Sequence, residues 1–137
     1  MKVENQVLPP PQQAMAFFTA PEDGPFVMVN LLKFHDRAQY EDGDRGLSGY
    51  DAYMLYGEAV RKLVEGLGGQ VRYQGRVTDL MLGEVEELWD VVALAEYPSL
   101  ESFRNMAMSP EMHAIEHHRK AGLKGQLNIK TKPGEGF

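Results

Sequence analysis

The sequence contains no cysteine. A chain without thiols has no disulfide, no thiolate zinc site and no cysteine nucleophile. It also lacks any apolar run approaching the roughly 18 residues of a membrane span, and its first residues lack the apolar segment of a secretion signal. We therefore expect a cytoplasmic protein with no membrane partner.

Positive charge is also scarce, with 14 basic against 20 acidic residues and a net charge of −6 over 137 residues. The basic residues are scattered, which disfavours nucleic acid as a partner. The length suits one domain with a single core. We expect an N-terminal arm over 1–24 that contains a short helix, a domain over 25–131 and a tail over 132–137.

The strongest structural signals lie in the stretch 88–123. In residues 88–97, successive side chains would point to opposite faces of a strand, and apolar residues occur on both faces. This pattern predicts a central strand that includes Trp89. Ser99 and Ser109 are each placed as the N-cap of a helix, and Ser109 is followed by a proline at the first helical position. This stretch therefore predicts a buried strand followed by a pair of helices.

The remaining elements follow from the same periodicities. They predict a strand with two apolar faces over 26–34, followed by a charged surface loop over 35–47. A helix that begins after Ser48 is predicted over 49–67, and a long strand bent near Gly75 over 70–82. A half-exposed last strand is predicted over 125–132. This order is that of the ferredoxin-like split βαβ protomer, an α+β fold with a four-stranded antiparallel sheet. Because the helices cover one face only, we expect a homodimer to cover the other face.

Several segments of the chain resemble the DUF1330 family of the dimeric α+β barrel superfamily. The resemblance covers residues 25–131, and the segments that carry it are MVNLLKF at 28–34, SGYDAYMLYGEAV at 48–60, WDVVALAEYPSLESFRNM at 89–106 and SPEMHAIEHHRKAGL at 109–123. It implies a ferredoxin-like protomer that forms a dimeric α+β barrel. The family has no assigned activity.

Related barrels include cofactor-free monooxygenases and haem-degrading enzymes. Some of these use an asparagine on the first strand, a tryptophan near the end of the third and a histidine on the second helix. This chain has Asn30 and second-helix histidines, but Trp89 opens the third strand and Tyr97 closes it. The resemblance therefore gives little support to haem chemistry.

Asn30 is a polar amide in the middle of an apolar strand. A buried amide requires hydrogen-bond partners, because leaving it unpaired costs a few kcal/mol. Two interpretations stay open: a core amide bonded to backbone or water, or a contact to a ligand.

Arg119 continues the apolar stripe of the last helix, and His118 lies beside it. An inward guanidinium needs an acceptor, which is either a carboxylate such as Asp90 in a structural pair or an anionic ligand. Tyr53 and Trp89 can supply aromatic walls to a small pocket. The candidate ligand-binding residues are Asn30, Tyr53, Trp89, His118 and Arg119.

The segment that contains His113, Glu116 and His117 matches the H-x-x-E-H string of zinc peptidases. We interpret these side chains as a solvent-facing helix surface, because a further ligand at a suitable position is missing. We expect no metal and no cofactor.

The sequence assigns no catalytic residue. We expect a homodimer that binds a small anionic or carbonyl-bearing compound, and a cofactor-free enzyme is one form that this function can take. The alternative is a non-catalytic structural or interaction protein with internally satisfied polar groups.

Overall fold

The computed structural model describes residues 1–136, so Phe137, the end of the predicted tail, lies outside the described residues. The elements are α1 (Pro11–Thr19), β1 (Phe26–Phe34), α2 (Gly49–Gly66), β2 (Gln70–Arg76), β3 (Val91–Tyr97), α3 (Leu100–Ala107), α4 (Pro110–Gly122) and β4 (Leu123–Thr131). None of the helices in this range is both long and apolar enough to cross a membrane.

The four strands form one antiparallel sheet in the order β2-β3-β1-β4. The predicted ferredoxin-like split βαβ plan is confirmed, including the central positions of the two strands that are apolar on both faces. At the middle of the sheet, Asn30 lies opposite Ala93 on one side and Asn128 on the other. The polar residue on β1 therefore lies at the centre of the sheet.

The predicted helix starts at Ser48, Ser99 and Ser109 are also confirmed. Each serine hydroxyl accepts a hydrogen bond from the backbone N–H three residues later, at 3.0 to 3.1 Å. Such a cap satisfies one of the free N–H groups at a helix start and contributes about 1 kcal/mol.

The two faces of β1 differ in burial. Phe26, Met28, Leu32 and Phe34 point towards the helices and are buried. The opposite face of the sheet is also largely apolar, and its members on three strands are only partly covered or exposed: Val27, Val29, Leu31, Val92, Leu94, Leu127 and Ile129. The core thus lies on one side of the sheet.

The N-terminal arm packs on the domain at two places. Residue Gln6 forms a backbone bridge with Gln126 on β4. Phe18 on α1 stacks on Phe103 of α3, and the backbone oxygen of Phe18 accepts a hydrogen bond from Arg104 at 3.0 Å. The arm therefore closes one side of the space between sheet and helices.

The predicted surface loop over 35–47 is partly wrong. Ala38 and Tyr40 are buried against Ala52 and Ala121, and the backbone N–H of Gln39 donates to the oxygen of Ala121 at 2.8 Å. The loop is mostly charged, and its two inward-facing residues form no periodic pattern. Their burial therefore could not be predicted from the sequence.

Two predicted strand boundaries are also wrong. β2 ends at Arg76, and its irregularity lies between Val71 and Tyr73 and not at Gly75. β3 begins at Val91, so Trp89 precedes the strand. The two boundaries coincide: Arg76 pairs with Val91, and beyond this pair the Val77 N–H donates one more hydrogen bond to the Asp90 oxygen at 2.9 Å.

Candidate functional site

A cavity of about 910 Å³ lies between the sheet and the helices. Its apolar wall includes Val60 and Val64 of α2, Ala95 of β3 and Met112 of α4, while Leu8 and Phe18 border it from the arm. Polar side chains from α2, α4, β1 and β4 also reach it. A mostly apolar cavity of this size with a few convergent polar groups suits a small-molecule ligand.

A hydrogen-bonded row of side chains crosses this cavity from α4 to the centre of the sheet. The Arg119 Nη2 atom donates to Gln126 Oε1 at 2.7 Å, and Gln126 Nε2 donates to Asn30 Oδ1 at 2.8 Å. Asn30 Nδ2 donates to the backbone oxygens of Ala93 at 3.2 Å and Met28 at 3.4 Å. We call Arg119, Gln126 and Asn30 the polar row.

The polar row favours one of the two interpretations of Asn30. Its amide uses both its nitrogen and its oxygen inside the protein, as expected of a satisfied core amide. Asn30 still lines the cavity, where it holds the orientation of Gln126 and, through it, of Arg119. Asn30 therefore orients Gln126 through a hydrogen bond.

Gln126 is the member of the row that the sequence analysis missed. It is 8% exposed and lies on the helix-facing side of β4, opposite Leu32. The strand parity of β4 carries the signal, because Gln126 and Asn128 share that face. In an alternating edge strand the polar face is normally expected to be exposed. The sequence of β4 therefore does not indicate that Gln126 is buried.

The suggested ion pair between Arg119 and Asp90 is wrong. Asp90 instead contacts the Lys33 ammonium at 3.2 Å and accepts the backbone N–H of Phe34 at 2.9 Å. Within residues 1–136, no carboxylate forms a salt bridge with Arg119. Its one side-chain acceptor is neutral, so its positive charge is not compensated by an ion pair.

Three tyrosines, Tyr53 and Tyr56 of α2 and Tyr97 of β3, face the same cavity. Their hydroxyls form no hydrogen bond within residues 1–136, and no fully enclosed polar side-chain atom in that range lacks a partner. The three hydroxyls are therefore accessible from the cavity. Burial raises the pKa of each phenol, and the Arg119 charge opposes this for Tyr53 and Tyr56. The phenols are thus neutral donors at physiological pH.

Two glycines allow α2 and α4 to approach each other closely enough to bring Tyr53 and Arg119 to one cavity. A Cβ on Gly49 would overlap the backbone oxygen of His35, and one on Gly122 would overlap that of Gly49. The backbone N–H of Gly49 also donates to the His35 oxygen at 3.1 Å. The shape of the site therefore depends on the absence of side chains at these positions.

Glu116 also lines the cavity, although the sequence analysis interpreted it as solvent-facing. It is half-buried and lies one turn before Arg119 on α4. The spacing of three residues was a usable signal, since residues i and i+3 share a helix face.

Trp89 and His118 do not line the cavity. The Trp89 indole N–H donates to Asn5 Oδ1 at 2.7 Å, so this ring contacts the arm. The His118 Nδ1 atom is hydrogen-bonded to the Tyr40 hydroxyl at 2.7 Å, so this ring faces the loop before α2. The structure therefore places neither ring at the cavity: Trp89 precedes β3, and His118 packs on the buried part of the loop before α2.

The three side chains of the H-x-x-E-H string do not converge. His113 and His117 are exposed, whereas Glu116 borders the cavity. Among residues 1–136, no group of three or more His, Asp or Glu side chains is arranged to hold a metal ion.

The strand order, with the helices packed on one face and a cavity beneath them, defines an α+β protein of the ferredoxin-like class. The fold is shared with a DABB family protein from Mesorhizobium loti, with 12% sequence identity, a TM-score of 0.50 and coverage of 81% of this chain and 98% of that one. No family model and no curated protein matches the sequence.

A more specific similarity exists to a protein of unknown function from Rhodopseudomonas palustris. Its crystal structure has a TM-score of 0.86, with 33% sequence identity over 97% of this chain and 100% of that one. The methylated form of that protein gives a TM-score of 0.84 and 35% identity over 96% and 98% of the two chains. The chain belongs to the same family as this protein.

Proposed function

We propose that the protein binds a small anionic or carbonyl-bearing compound in the cavity between sheet and helices. The observation that carries this proposal is Arg119: its guanidinium reaches the cavity, and its only side-chain partner among residues 1–136 is the neutral Gln126. A guanidinium keeps its charge and offers five donors, so a carboxylate or enolate is its natural partner. We also propose that the chain is a member of the DUF1330 family, on the basis of the segments quoted above.

The cavity favours this proposal over a purely structural or interaction role. A structural protein would be expected to satisfy its internal polar groups, whereas the hydroxyls of Tyr53, Tyr56 and Tyr97 have no partner within residues 1–136. Polar groups that line a cavity without a protein partner are available to a ligand, which is a common property of binding sites. The tyrosine hydroxyls and the Arg119 guanidinium line the same cavity.

We also propose that the functional unit is a homodimer formed through the open face of the sheet, as in a dimeric α+β barrel. Val29, Leu31, Leu94 and Ile129 are neighbours on this face, and Ile129 is 45% exposed. Contiguous apolar surface of this kind favours association. A second copy of the chain would cover it with an identical surface.

The binding proposal is tested by isothermal titration calorimetry with benzoate, phenylpyruvate and acetoacetate, each compared with its neutral amide or ester. We expect at least one anion to bind more strongly than its neutral analogue. Arg119→Ala should weaken that binding at least tenfold, whereas Arg61→Ala, an exposed arginine of α2, should not change it. Equal affinities for wild type and Arg119→Ala, or no binding of any anion, would overturn the proposal.

The dimer proposal is tested by sedimentation velocity at micromolar concentration. Val29→Glu places a charge between Leu94 and Ile129 and should shift the wild-type dimer to a monomer. Leu55→Glu, at an exposed position of α2, should leave the dimer intact. A wild-type protein that sediments as a monomer contradicts the proposal.

A further inference from the structure

Glu116 is a carboxylate of the cavity that neither the fold nor the proposed binding role requires. It forms no salt bridge and no hydrogen bond within residues 1–136, although Arg119 is one turn away on the same helix. The reason is that the Arg119 head is turned towards Gln126. The site therefore keeps a free carboxylate next to an uncompensated guanidinium.

Two tyrosines of the neighbouring helix border the same cavity as this carboxylate. Tyr53 and Tyr56 lie on adjacent turns of α2, with ring centroids 5.4 Å apart, and both line the cavity together with Glu116. The charge of Glu116 contributes to the raised pKa of Tyr56, after the larger effect of burial. A base, neutral donors and a fixed cation thus border one cavity.

These groups match the needs of one type of reaction. Removing a proton from carbon next to a carbonyl requires a base for the proton and donors for the negative charge that develops on the oxygen. A carboxylate side chain can serve as the base, and phenol hydroxyls that stay protonated can serve as the donors. The guanidinium can hold a second anionic group and fix the orientation of the substrate.

We propose that the cavity catalyses the enolisation of a 2-oxo acid, with Glu116 as the base. This inference rests on the proposed binding function. The C–H bond next to the keto group breaks, its proton passes to a Glu116 oxygen, and its electron pair forms the C=C bond as the keto oxygen becomes an enolate. Return of the proton to the enolate oxygen gives the enol, an isomer of the keto acid, so no co-reactant is consumed.

The roles of the side chains define the substrate class. Arg119 binds the carboxylate, while Tyr53 and Tyr56 donate to the enolate oxygen. The walls formed by Val60, Ala95 and Met112 contact a branched or aromatic side chain of the acid. The class is therefore a 2-oxo acid with at least one hydrogen on the carbon next to the keto group and an apolar substituent.

The test measures exchange of these hydrogens for deuterium by proton NMR in D₂O at neutral pD. The probes are pyruvate, 3-methyl-2-oxobutanoate and phenylpyruvate, and spontaneous exchange in buffer is subtracted. We expect the wild type to accelerate exchange, most with the apolar acids. Glu116→Gln should lose at least about a hundredfold of this rate, as expected for a general base.

Two variants separate this role from structural effects. Glu58→Gln alters an exposed glutamate of α2 and should exchange at the wild-type rate. Tyr53→Phe, which removes a hydroxyl without a protein partner, should exchange more slowly by about tenfold or more. Glu116→Gln should bind the acid as tightly as the wild type or more tightly, since a like charge is removed.

The inference would be overturned if Glu116→Gln exchanged the hydrogens at the wild-type rate. It would also be overturned if the wild type accelerated the exchange of none of the probes. If the anion still binds in an Arg119-dependent manner, the proposed function survives that result. If the anion does not bind, both proposals fail.

Discussion

The helix-facing side of β1 contains two kinds of interior only a few residues apart. Around Phe26 the interior is filled: its ring stacks on Tyr97 at 5.5 Å and meets Phe103 edge-on at 5.9 Å. Around Asn30 it is open and polar, with the cavity in front of the amide. The same strand thus contributes to a packed core at one end and to a candidate site at its middle.

The difference shows how the fold divides stability from function. The filled part buries apolar area, which is the main favourable term in folding. The open part buries less apolar area and leaves tyrosine hydroxyls and a guanidinium available to a ligand. Substitutions in the first part should therefore change the free energy of unfolding, and substitutions in the second should change ligand affinity.

The largest expected effect is in the filled part. Phe26 has 0% exposure, so Phe26→Ala leaves a large void among aromatic rings. We expect the free energy of unfolding to fall by about 3–5 kcal/mol, measured by urea denaturation. Leu55→Ala, at a position 46% exposed, serves as the control and should change it by less than about 1 kcal/mol. Similar losses in the two variants would contradict this description of the core.

A smaller effect is expected where the two regions depend on the same backbone contact. Gly122→Ala places a methyl group against the Gly49 oxygen and should cost about 1–3 kcal/mol through overpacking. It should also weaken anion binding, because Tyr53 and Arg119 move apart with the helices. Gly66→Ala, whose added Cβ would meet nothing within 4 Å, should not destabilise the protein. Loss of stability without loss of binding would show that this contact does not position the site.

The smallest expected effect is a pH dependence from His118, which lies outside both regions. Burial lowers the pKa of His118 below its ordinary 6.5, and the charges of His117 and Arg45 add to this. The unfolded chain therefore takes up the proton first, so stability falls as the pH decreases from 6.5 towards the folded pKa and is unaffected above it.

The measurement is the melting temperature at pH 7 and pH 5. The drop should be smaller in His118→Gln than in the wild type, while His113→Gln, an exposed histidine of α4, should behave as the wild type. An identical drop in all three proteins would mean that His118 contributes nothing measurable to the pH dependence.

The fold could be predicted from the sequence because its signals are local. Strand alternation in β1 and β3 and the caps at Ser48, Ser99 and Ser109 each depend on neighbouring residues, and they agree with one another. The end of β2 could not be predicted, because it depends on where β3 begins. Pairing between strands is a tertiary property that a single strand does not encode.

The site was predictable only in part, for the same reason. The helical stripe of α4 places Arg119 inward, and Glu116, three residues earlier, lies on the same helix face although it was interpreted as solvent-facing. Gln126 was not predictable, because its role arises from a contact between α4, β4 and β1. His118 is hydrogen-bonded to Tyr40 and does not line the cavity. This contact was not predictable, because Tyr40 lies in a loop without periodicity.

The most direct test of the comparison is the free energy of unfolding of Arg119→Met without ligand, measured by urea denaturation beside the wild type. If the polar row serves ligand binding, removing the charge relieves an uncompensated cation and water in the cavity can solvate Gln126. We predict stability within about 1 kcal/mol of the wild type, or higher. A loss of about 3 kcal/mol or more would contradict this account and assign Arg119 a structural role.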